Sequence, residues 1–437
     1  MGGTEIYVES LVHHLQRQNV EGIVAVPDVK QTISYRHNGI EVRRFAVAPD
    51  ELDIRDRYGA GDAYASAGFA KILDAEKPDL IHLHSITPAT SLHLVAEAEQ
   101  RNIPLVFTYH LPTASCQRGT LLRWGHELCD GKLDVRRCSA CSLHSMGLPR
   151  IASMALAQLP VCTGDMLHTL GRSNGVWISL RMTELMHIRH RTFRSLMERM
   201  QAIVVLCEWT RELLLRNGVP AERMLLSRHG LPQTLPERPD PRQTDAKPLR
   251  IAFLGRMVPI KGPDVLIRAL QGIPEAAIEL HLYGTIQNAN QDRYSRELRA
   301  LADADRRIEF RQSVANDQVI DVLKNYDLLA VPSQWLETGP LVVLEAFAAG
   351  IPVIGSNLGG IAELVRHGED GILVQYDMIE AWTVALARLA ADPAELDRLR
   401  SAVRPPRSMA QVAGEMLSLY RCLLKPQGLF RLRQQGN

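Results

Sequence analysis

Short apolar runs rich in β-branched residues alternate with longer segments of helical periodicity along the chain. The runs of the first half are Ile23 to Val26, Leu80 to Leu83, Leu105 to Tyr109 and Ile203 to Leu206. Those of the second half are Ile251 to Leu254, Ile278 to Leu282, Leu328 to Val331 and Pro352 to Ile354. Such alternation predicts parallel strands joined by helices that cover both faces of a sheet. We therefore expect an α/β fold with two doubly wound parallel-sheet domains facing each other across a cleft.

A proline-rich segment separates the two sets of runs. Residues 232–248 contain five prolines, which neither a regular helix nor a central strand accommodates. We predict a first domain over 1–231, a linker over 232–248, a second domain over 249–400, and a C-terminal helix and tail over 401–437. The chain opens directly on a glycine pair and an amphipathic helix. We therefore expect a start at an internal methionine and a missing first strand.

Composition is that of a globular protein of more than one domain. The chain has 437 residues, a length that exceeds what one hydrophobic core usually supports. Hydrophobic residues make up 46% of it. Lys and Arg total 50 against 49 for Asp and Glu, so the formal net charge of +1 gives no field that would attract nucleic acid. The first residues lack the pattern of a signal peptide, and no apolar run is long enough to span a bilayer. We expect a cytoplasmic protein that binds no nucleic acid.

Two acids bracket an apolar run in the stretch "ETGPLVVLEAFAAGIPVIGSNLGG", residues 337–360. A proline favours a helix start, so we predict a helix from Pro340 to Ala349. Glu337 then lies in the loop before this helix, and Glu345 lies more than one turn inside it. A carboxylate only accepts hydrogen bonds, and the vicinal hydroxyls of a ribose or another sugar match it well. The alternative is that Glu337 is a solvated loop acid and Glu345 a helix-surface residue.

Two further loops have features that suit phosphate. Gly359 and Gly360 precede a helix predicted to begin at about Ile361, which allows a close backbone approach at a helix N-terminus. Arg256 follows one predicted strand and Lys261 precedes the next helix, so both cations lie in one loop. Fixed cations stabilise the charge on a departing diphosphate without a metal ion. Together with the two acids, these loops predict a nucleotide-sugar site, and the alternative is an ordinary basic surface loop.

These residues, taken in their order along the chain, resemble glycosyltransferase family 4. That family consists of retaining enzymes with the GT-B fold of two Rossmann-like domains. The resemblance extends over nearly the whole chain. The motifs that carry it are "GGTE" at the start, "PDLIHLHS", the strand end "TYH", "GR" and "KG" in the loop after Leu254, the acid pair with the spacing E-x7-E, and "GG" at Gly359.

The resemblance implies a role for each candidate residue. The residues that would act on the leaving diphosphate, the donor sugar or the acceptor are Arg256, Lys261, Glu337 and His110. The residues that would bind the substrates are Gly2, Gly3, His84, Thr338, Gly339, Pro340, Leu341, Glu345, Gly359 and Gly360. Among them, Gly2 and Gly3 would approach the donor phosphate and Glu345 would hold the ribose. His110 would stand at the acceptor side of the reacting carbon.

The resemblance further implies retaining transfer of a hexose-type sugar from a UDP- or GDP-sugar to a glycan, lipid-linked or small-molecule acceptor. Such a reaction belongs to the synthesis of envelope polysaccharides or glycoconjugates. In the mechanism of the family, the leaving phosphate itself accepts the proton of the acceptor, so no catalytic metal is expected. Three alternatives remain. One is another enzyme on the same fold, such as a phosphorylase or a nucleotide-sugar epimerase. The others are a module that binds nucleotide sugars without turnover and a redox- or metal-sensing module centred on the cysteines.

Four cysteines follow shortly after His110. Cys116, Cys129, Cys138 and Cys141 have the spacing C-x12-C-x8-C-x2-C. This spacing favours a structural zinc site in a Cys-rich insertion over 112–150, because a short polar segment needs such a staple to fold. The alternatives are an iron–sulfur cluster on the same ligands and unligated cysteines in an ordinary loop. We expect the insertion to cover the acceptor site.

Residues 181–200 predict an amphipathic helix with apolar residues on one face and mostly arginines and histidines on the other. A core-facing helix with a solvated basic side is favoured. The alternative is a basic face that meets an anionic, lipid-linked acceptor. That alternative would place the protein at the inner face of the membrane by peripheral association. The oligomeric state does not follow from the sequence.

Overall fold

The computed structural model describes residues 2–28, 32–48, 50–172, 175–232, 248–285 and 289–425. The chain divides into two compact units, of which unit 1 is Met1–Ser227 with Ala413–Asn437 and unit 2 is Arg228–Val412. Unit 1 is therefore built from two stretches that unit 2 separates in sequence. The predicted linker falls almost wholly on 233–247, which lies outside the described residues.

Unit 1 combines strands and helices throughout its first stretch. Its strands are β1 (Ile23–Asp28), β2 (Ile33–His37), β3 (Ile40–Ala46), β4 (Ile81–Leu83), β5 (Leu105–Tyr109), β6 (Leu122–Arg123), β7 (Glu127–Leu128), β8 (Ala202–Val205) and β9 (Met224–Leu226). Its helices are α1 (Gly3–Gln16), α2 (Ile54–Tyr58), α3 (Ala63–Glu76), α4 (Leu92–Gln100), α5 (Val135–Ser145), α6 (Arg150–Leu156), α7 (Val161–Thr169), α8 (Val176–Leu180), α9 (Met182–Arg199) and α10 (Glu208–Arg216).

The central sheet of unit 1 has the order β4-β5-β8-β9, and all its neighbouring strands are parallel. Every residue of β5 and β8 is buried, as expected for strands covered on both faces. A second sheet has the order β1-β3-β2, in which β2 and β3 form an antiparallel hairpin. Asn38 and Gly39 make its two-residue turn with φ of 46° and 81°, the left-handed backbone that Asn-Gly favours. That signal predicts the hairpin, although the apolar runs do not.

Unit 2 alternates strand and helix. Its strands are β10 (Leu249–Arg256), β11 (Ile278–Thr285), β12 (Ile308–Arg311), β13 (Leu328–Val331), β14 (Val353–Ser356) and β15 (Gly371–Val374). Its helices are α11 (Pro263–Gln271), α12 (Ala289–Ala302), α13 (Val319–Leu323), α14 (Leu341–Ala348), α15 (Gly359–Leu364), α16 (Ile379–Ala391) and α17 (Pro393–Ser401). The last helix, α18 (Met409–Leu424), begins in unit 2 and continues into unit 1.

The sheet of unit 2 is wholly parallel and has the order β12-β11-β10-β13-β14-β15. Chain order therefore runs outward from β10 in one direction and from β13 in the other. Helices cover both faces, and buried side chains such as Ile251, Leu280 and Trp382 pack between one layer of helices and the sheet. In such doubly wound sheets, ligands bind beyond the carboxyl ends of the strands where the order reverses. Here that position is at the ends of β10 and β13.

The predicted fold class is confirmed: both units are α/β with parallel sheets. All eight apolar runs are strands, with ends that differ from the prediction by a few residues at most. Among the residues that the structure describes, no helix is both long enough and apolar enough to cross a bilayer.

The helix predicted over 181–200 is α9, and its apolar side chains are buried. Its polar side is not a continuous basic surface. Arg181 is fully buried, and its Nε donates a hydrogen bond of 2.8 Å to Glu184. His190 is also buried. The helix therefore faces the core, as favoured, but the expectation of a solvated basic side is wrong at these two positions, because one cation is paired internally and the imidazole packs inward.

Candidate active site

The candidate residues of unit 2 lie in two loops that follow neighbouring strands. Arg256 ends β10, and Lys261 precedes α11. Glu337 lies in the loop between β13 and α14. Because β10 and β13 are parallel neighbours, both loops emerge at the same edge of the sheet. Residues that are distant in sequence therefore meet where the strand order reverses.

Glu337 and Lys261 form a partly buried ion pair at this edge. Lys261 Nζ lies 2.6 Å from Glu337 Oε1. Two more donors reach the same oxygen, Ser333 Oγ at 2.8 Å and Trp335 Nε1 at 2.8 Å. Only 7% of Glu337 is exposed. The alternative that Glu337 is a solvated loop acid is therefore wrong.

This environment keeps Glu337 ionised. Burial raises the pKa of its carboxyl, but the Lys261 ammonium and the hydrogen bonds from Lys261, Ser333 and Trp335 outweigh burial and hold the pKa below its ordinary value. The Lys261 ammonium also lies 5.8 Å from the centroid of the Trp335 ring, within range of a cation–π interaction. Four contacts thus fix a charged pair whose cation keeps partial solvent exposure.

Glu345 lies on α14, four residues after the helix begins at Leu341. Pro340 is the N-cap of this helix, and the observed ends differ from the predicted ends by one residue each. Only 9% of Glu345 is exposed, so the alternative of a helix-surface acid is wrong. Two buried carboxylates therefore flank the start of α14.

Gly359 and Gly360 lie against the loop of Glu337. They are the first residues of α15, which has six residues and begins two residues before the predicted start. The N–H of Gly360 donates a hydrogen bond of 2.7 Å to the carbonyl oxygen of Glu337. A Cβ added to Gly360 would lie 2.6 Å from Gly339 N. The close backbone approach that these glycines permit is to the loop of Glu337.

His229 is a site residue that the sequence reasoning missed. Its side chain is buried, and a Cβ added to Gly339 would lie 3.3 Å from His229 Cδ2. Burial lowers the pKa of His229 to about 4, so the ring is neutral. The neighbouring Arg228 forms an ion pair with Glu363. The only signal in the sequence is the dipeptide His-Gly shortly after β9.

Arg256 is exposed at the end of β10.

The candidate residues of unit 1 lie at the carboxyl edge of its central sheet. His84 follows β4, and His110 follows β5, its parallel neighbour. Their rings are joined by a hydrogen bond of 3.0 Å between His84 Nδ1 and His110 Nε2. The Tyr7 ring of α1 packs against both, with centroid distances of 5.7 Å and 4.9 Å. Gly2, whose N–H donates to Glu5, caps the same helix. Packing through Tyr7 therefore brings α1 to the two histidines.

Burial keeps His82 and His84 neutral. It lowers the pKa of His84 to about 4, and it lowers that of His82 well below the ordinary value. His82 is bound on both sides, by Tyr420 Oη at 2.6 Å and by Thr108 Oγ1 at 2.7 Å. His82 is therefore a packed structural residue. His84 and His110 form a pair in which one ring nitrogen donates and the other accepts.

The four clustered cysteines line one cavity of unit 1 as free thiols. Burial raises the pKa of Cys138 to about 11, so its thiol is protonated in this structure. Within the described ranges, no three His, Cys, Asp or Glu side chains are arranged to hold a metal ion. One cavity is lined by all four cysteines of the predicted site, Cys116, Cys129, Cys138 and Cys141. The zinc and iron–sulfur assignments are not supported by the side-chain positions.

Two family models match the chain. The model of glycosyl transferases group 1 matches residues 236–404, and the model of the glycosyl transferase 4-like domain matches residues 2–228. The second match includes the Cys-rich segment 112–150, so the prediction that this segment is an insertion is not confirmed.

One similar curated protein is the D-inositol 3-phosphate glycosyltransferase of Rhodococcus jostii (strain RHA1). It is 36% identical over 193 residues, which are 42% of this chain and 41% of that protein. The chain spans less than half the length of this relative.

Two solved structures share the fold over most of their length. Sucrose-phosphate synthase from Thermosynechococcus elongatus has a TM-score of 0.65 at 19% identity, covering 97% of this chain and 94% of that one. Anabaena Alr3699/HepE in complex with UDP and glucose has a TM-score of 0.60 at 15% identity, covering 96% of each chain. These similarities show the GT-B fold. Because the 4-like model alone matches more than half of the residues, the chain belongs to glycosyltransferase family 4.

Proposed function

We propose that this protein is a retaining glycosyltransferase. It transfers a hexose-type sugar from a UDP- or GDP-sugar to a glycan, lipid-linked or small-molecule acceptor. The observation that carries the proposal is the ion pair of Lys261 with the buried Glu337, at the point of unit 2 where the strand order reverses. Family membership and the glycosyltransferase names of the relatives support it. The Anabaena structure, whose ligands are UDP and glucose, supports the choice of donor.

Unit 2 supplies the donor chemistry in this proposal. Glu337 takes one N–H of the Lys261 ammonium, which leaves two to donate to the diphosphate. Arg256 adds a second, exposed cation in the same loop. Since the carboxylate holds Lys261 in place before the reaction, the ammonium meets the developing phosphate charge without reorganisation. Glu345 accepts hydrogen bonds from the ribose, and the backbone from Thr338 to Leu341 contacts the donor sugar.

The transfer step needs no catalytic metal. The bond between the anomeric carbon and the phosphate oxygen breaks, and the acceptor oxygen bonds to that carbon on the same face. The acceptor proton passes to the leaving phosphate oxygen. His110, held by His84, orients the acceptor hydroxyl. A structural zinc on the cysteines would lie outside this reaction.

A second part of the proposal concerns peripheral association with the inner face of a membrane. Large apolar side chains are exposed on the segment from α5 to α8, most of all Ile151 at 79%, Val176 at 69% and Leu170 at 65%. Exposed apolar side chains of this kind suit the acyl boundary of a bilayer that carries a lipid-linked acceptor. We expect the protein to co-sediment with anionic phospholipid vesicles and the double variant Ile151→Ser/Leu170→Ser to stay in the supernatant. Equal sedimentation of both proteins would contradict this part.

The enzymatic proposal is tested with a panel of UDP- and GDP-sugars. The readouts are donor binding by calorimetry, release of nucleoside diphosphate, and the anomeric configuration of the product by NMR. One donor is expected to turn over with retention, and Glu337→Gln is expected to lower the rate without unfolding the protein. Glu380→Gln, which changes an exposed acid on α16, serves as the matched control and is expected to be silent. His110→Ala is expected to slow transfer to the acceptor while donor affinity stays unchanged.

Other results would change the assignment. Donor binding without turnover, over a broad set of acceptors, would favour the non-catalytic module. No binding of any nucleotide sugar to the folded protein would overturn the proposal.

A further inference from the structure

The four cysteines that line the cavity of unit 1 come from three separate pieces of backbone. Cys116 follows a short turn, and its N–H donates to the carbonyl oxygen of Pro112 at 2.7 Å. Cys129 directly follows β7. Cys138 and Cys141 lie one turn apart on α5, so they share a face of that helix. All four are partly buried and line one cavity of about 40 Å³, which has room for a single ion.

The cavity wall carries positive charge. Its charged lining residues, within the part of the chain that the structure describes, are Arg118, Arg123, Lys132, Arg137 and Arg189, and no carboxylate is among them. Arg137 has a counter-ion outside the lining in Asp130. A cavity lined by so many cations and no anion is suited to hold negative charge.

Several of these side chains have buried donor atoms that find no acceptor among the described residues. The Nε atoms of Arg118, Arg123, Arg137 and Arg189 have no hydrogen-bond partner among the described residues. The same holds, over those ranges, for Nη1 of Arg118 and for Nδ1 of His190. His190 is 3% exposed and lines the cavity. Buried donors are nearly always satisfied in native proteins, so this group indicates an acceptor that the protein atoms do not provide as placed.

Thiols do not meet this need, whereas metal-bound thiolates do. A thiol is a weak acceptor, but a coordinating sulfur is deprotonated and anionic. Four thiolates around one divalent cation carry a net charge of −2 and offer acceptors on every side. Arginine N–H groups that donate to ligating sulfurs would then be the outer partners that orient metal ligands.

We propose that Cys116, Cys129, Cys138 and Cys141 bind one Zn²⁺ ion as thiolates, and that the surrounding arginines donate hydrogen bonds to the four sulfurs. Zinc suits four sulfur ligands that include a C-x2-C pair, because it accepts tetrahedral thiolate coordination without redox chemistry. Coordination requires the sulfurs to converge by rotation about their Cα–Cβ bonds, and the thiol protons pass to solvent. The ion joins α5 to the β6–β7 hairpin and to the turn that follows His110. This site goes beyond the proposed transfer reaction, since it takes no part in that chemistry.

The test measures metal on the full chain, independently of activity. Protein purified under reducing conditions is expected to contain one zinc per chain by elemental mass spectrometry. After chelation, Co²⁺ should give the thiolate charge-transfer and tetrahedral ligand-field absorption of a four-sulfur site, with release of protons. Cys138→Ser is expected to lose the ion. Cys162→Ser, which removes an exposed thiol on α7, is the matched control and should keep it.

A second variant tests the arginine shell without touching a ligand. Arg118→Gln is expected to lower zinc affinity by about 10- to 100-fold in competition with a chromophoric chelator, the usual effect of losing an outer partner. This variant keeps the proposal testable where Cys138→Ser does not fold.

Three results would overturn the proposal. The first is folded wild-type protein that holds neither zinc nor cobalt above the level of Cys138→Ser. The second is iron with acid-labile sulfide in place of zinc, which would assign an iron–sulfur cluster. The third is stabilisation by inorganic phosphate that Arg118→Gln abolishes while metal has no effect, which would assign an anion site.

Discussion

Lys261 Nζ lies 2.6 Å from Glu337 Oε1, although 75 residues separate the two in the chain. The strand order of unit 2 creates this contact, because it places the loops after β10 and β13 side by side. Trp335 and Ser333 donate to the same carboxylate oxygen. The pair is therefore both a structural element and the proposed centre of donor binding.

Lys261→Met removes the ammonium and keeps most of the side-chain volume. We expect the release of nucleoside diphosphate to slow by about 100- to 1,000-fold, because a preorganised charge is lost. The unfolding free energy should fall by about 3–5 kcal/mol, since a buried carboxylate loses its partner. Urea unfolding and steady-state kinetics measure the two effects.

The control for this variant is Lys324→Met, which breaks the surface pair of Lys324 with Asp321. Its cost should stay below about 1 kcal/mol. The double variant Lys261→Met/Glu337→Gln is expected to regain part of the stability and none of the activity. Wild-type turnover in Lys261→Met would restrict the pair to a structural role.

Acid should destabilise the protein over the pH range between the pKa values that the buried histidines have in the folded chain and in the unfolded chain. The pKa of His84 is about 4 instead of 6.5, because burial disfavours the charged ring. Between these values the unfolded chain binds a proton that the folded chain does not, so the unfolding free energy falls as pH decreases through this window. His190 and His229 act in the same direction.

His84→Gln is expected to reduce this pH dependence by up to about 1.4 kcal/mol for each unit of pKa shift that it removes. Urea unfolding at a series of pH values gives the slope. His126→Gln, at a largely exposed position, should leave the slope unchanged. An unaltered slope in His84→Gln would show that other groups govern the acid response.

Gly360→Ala tests the contact between α15 and the loop of Glu337. The added Cβ would lie 2.7 Å from the carbonyl oxygen of Glu337, so the loop must shift. We expect a loss of about 1–3 kcal/mol in unfolding free energy, as for overpacking, and weaker donor binding by calorimetry. Gly414→Ala on α18 meets nothing within 4 Å and should stabilise by about 0.4–1 kcal/mol. Equal behaviour of the two variants would contradict the role given to Gly360.

Tyr420→Phe tests how α18 is attached to unit 1. The variant removes the hydroxyl that is hydrogen-bonded to His82 Nδ1 and leaves that buried nitrogen without this partner. We expect the unfolding free energy of unit 1 to fall by about 1–3 kcal/mol. Tyr64→Phe, at a position that is 58% exposed, should change it by less than about 0.5 kcal/mol. Identical unfolding curves would mean that apolar packing alone holds the helix.

The sequence predicts the parts of this structure that local pattern controls. Buried parallel strands are continuous apolar runs, and each of the eight runs is a strand. The helix after Glu337 was predicted to within one residue at each end, because Pro340 marks its start. The apolar runs do not predict the hairpin of β2 and β3, because β2 is mostly exposed and charged residues interrupt the apolar residues of β3.

The candidate site was only partly predictable, because its contacts depend on strand order. No local pattern shows that Glu337 is buried against Lys261, or that Gly360 binds the loop of Glu337. No periodic pattern or known motif marks His229 in the sequence. The course of the chain after β9 places its ring beside Gly339. The basic side of α9 was mispredicted at Arg181, because Glu184 on the same helix neutralises that charge inside the protein.

The contact of Tyr420 with His82 affects the order in which the two units complete their folding during synthesis. The two residues are separated by the whole of unit 2 in the chain. A ribosome therefore releases all of unit 2 before it delivers the helix whose Tyr420 binds His82. Unit 2 is able to finish folding first, while unit 1 waits in an incomplete form with part of its apolar surface uncovered. Chaperone dependence during translation should accordingly be greater for the N-terminal part of the chain, although it is made first.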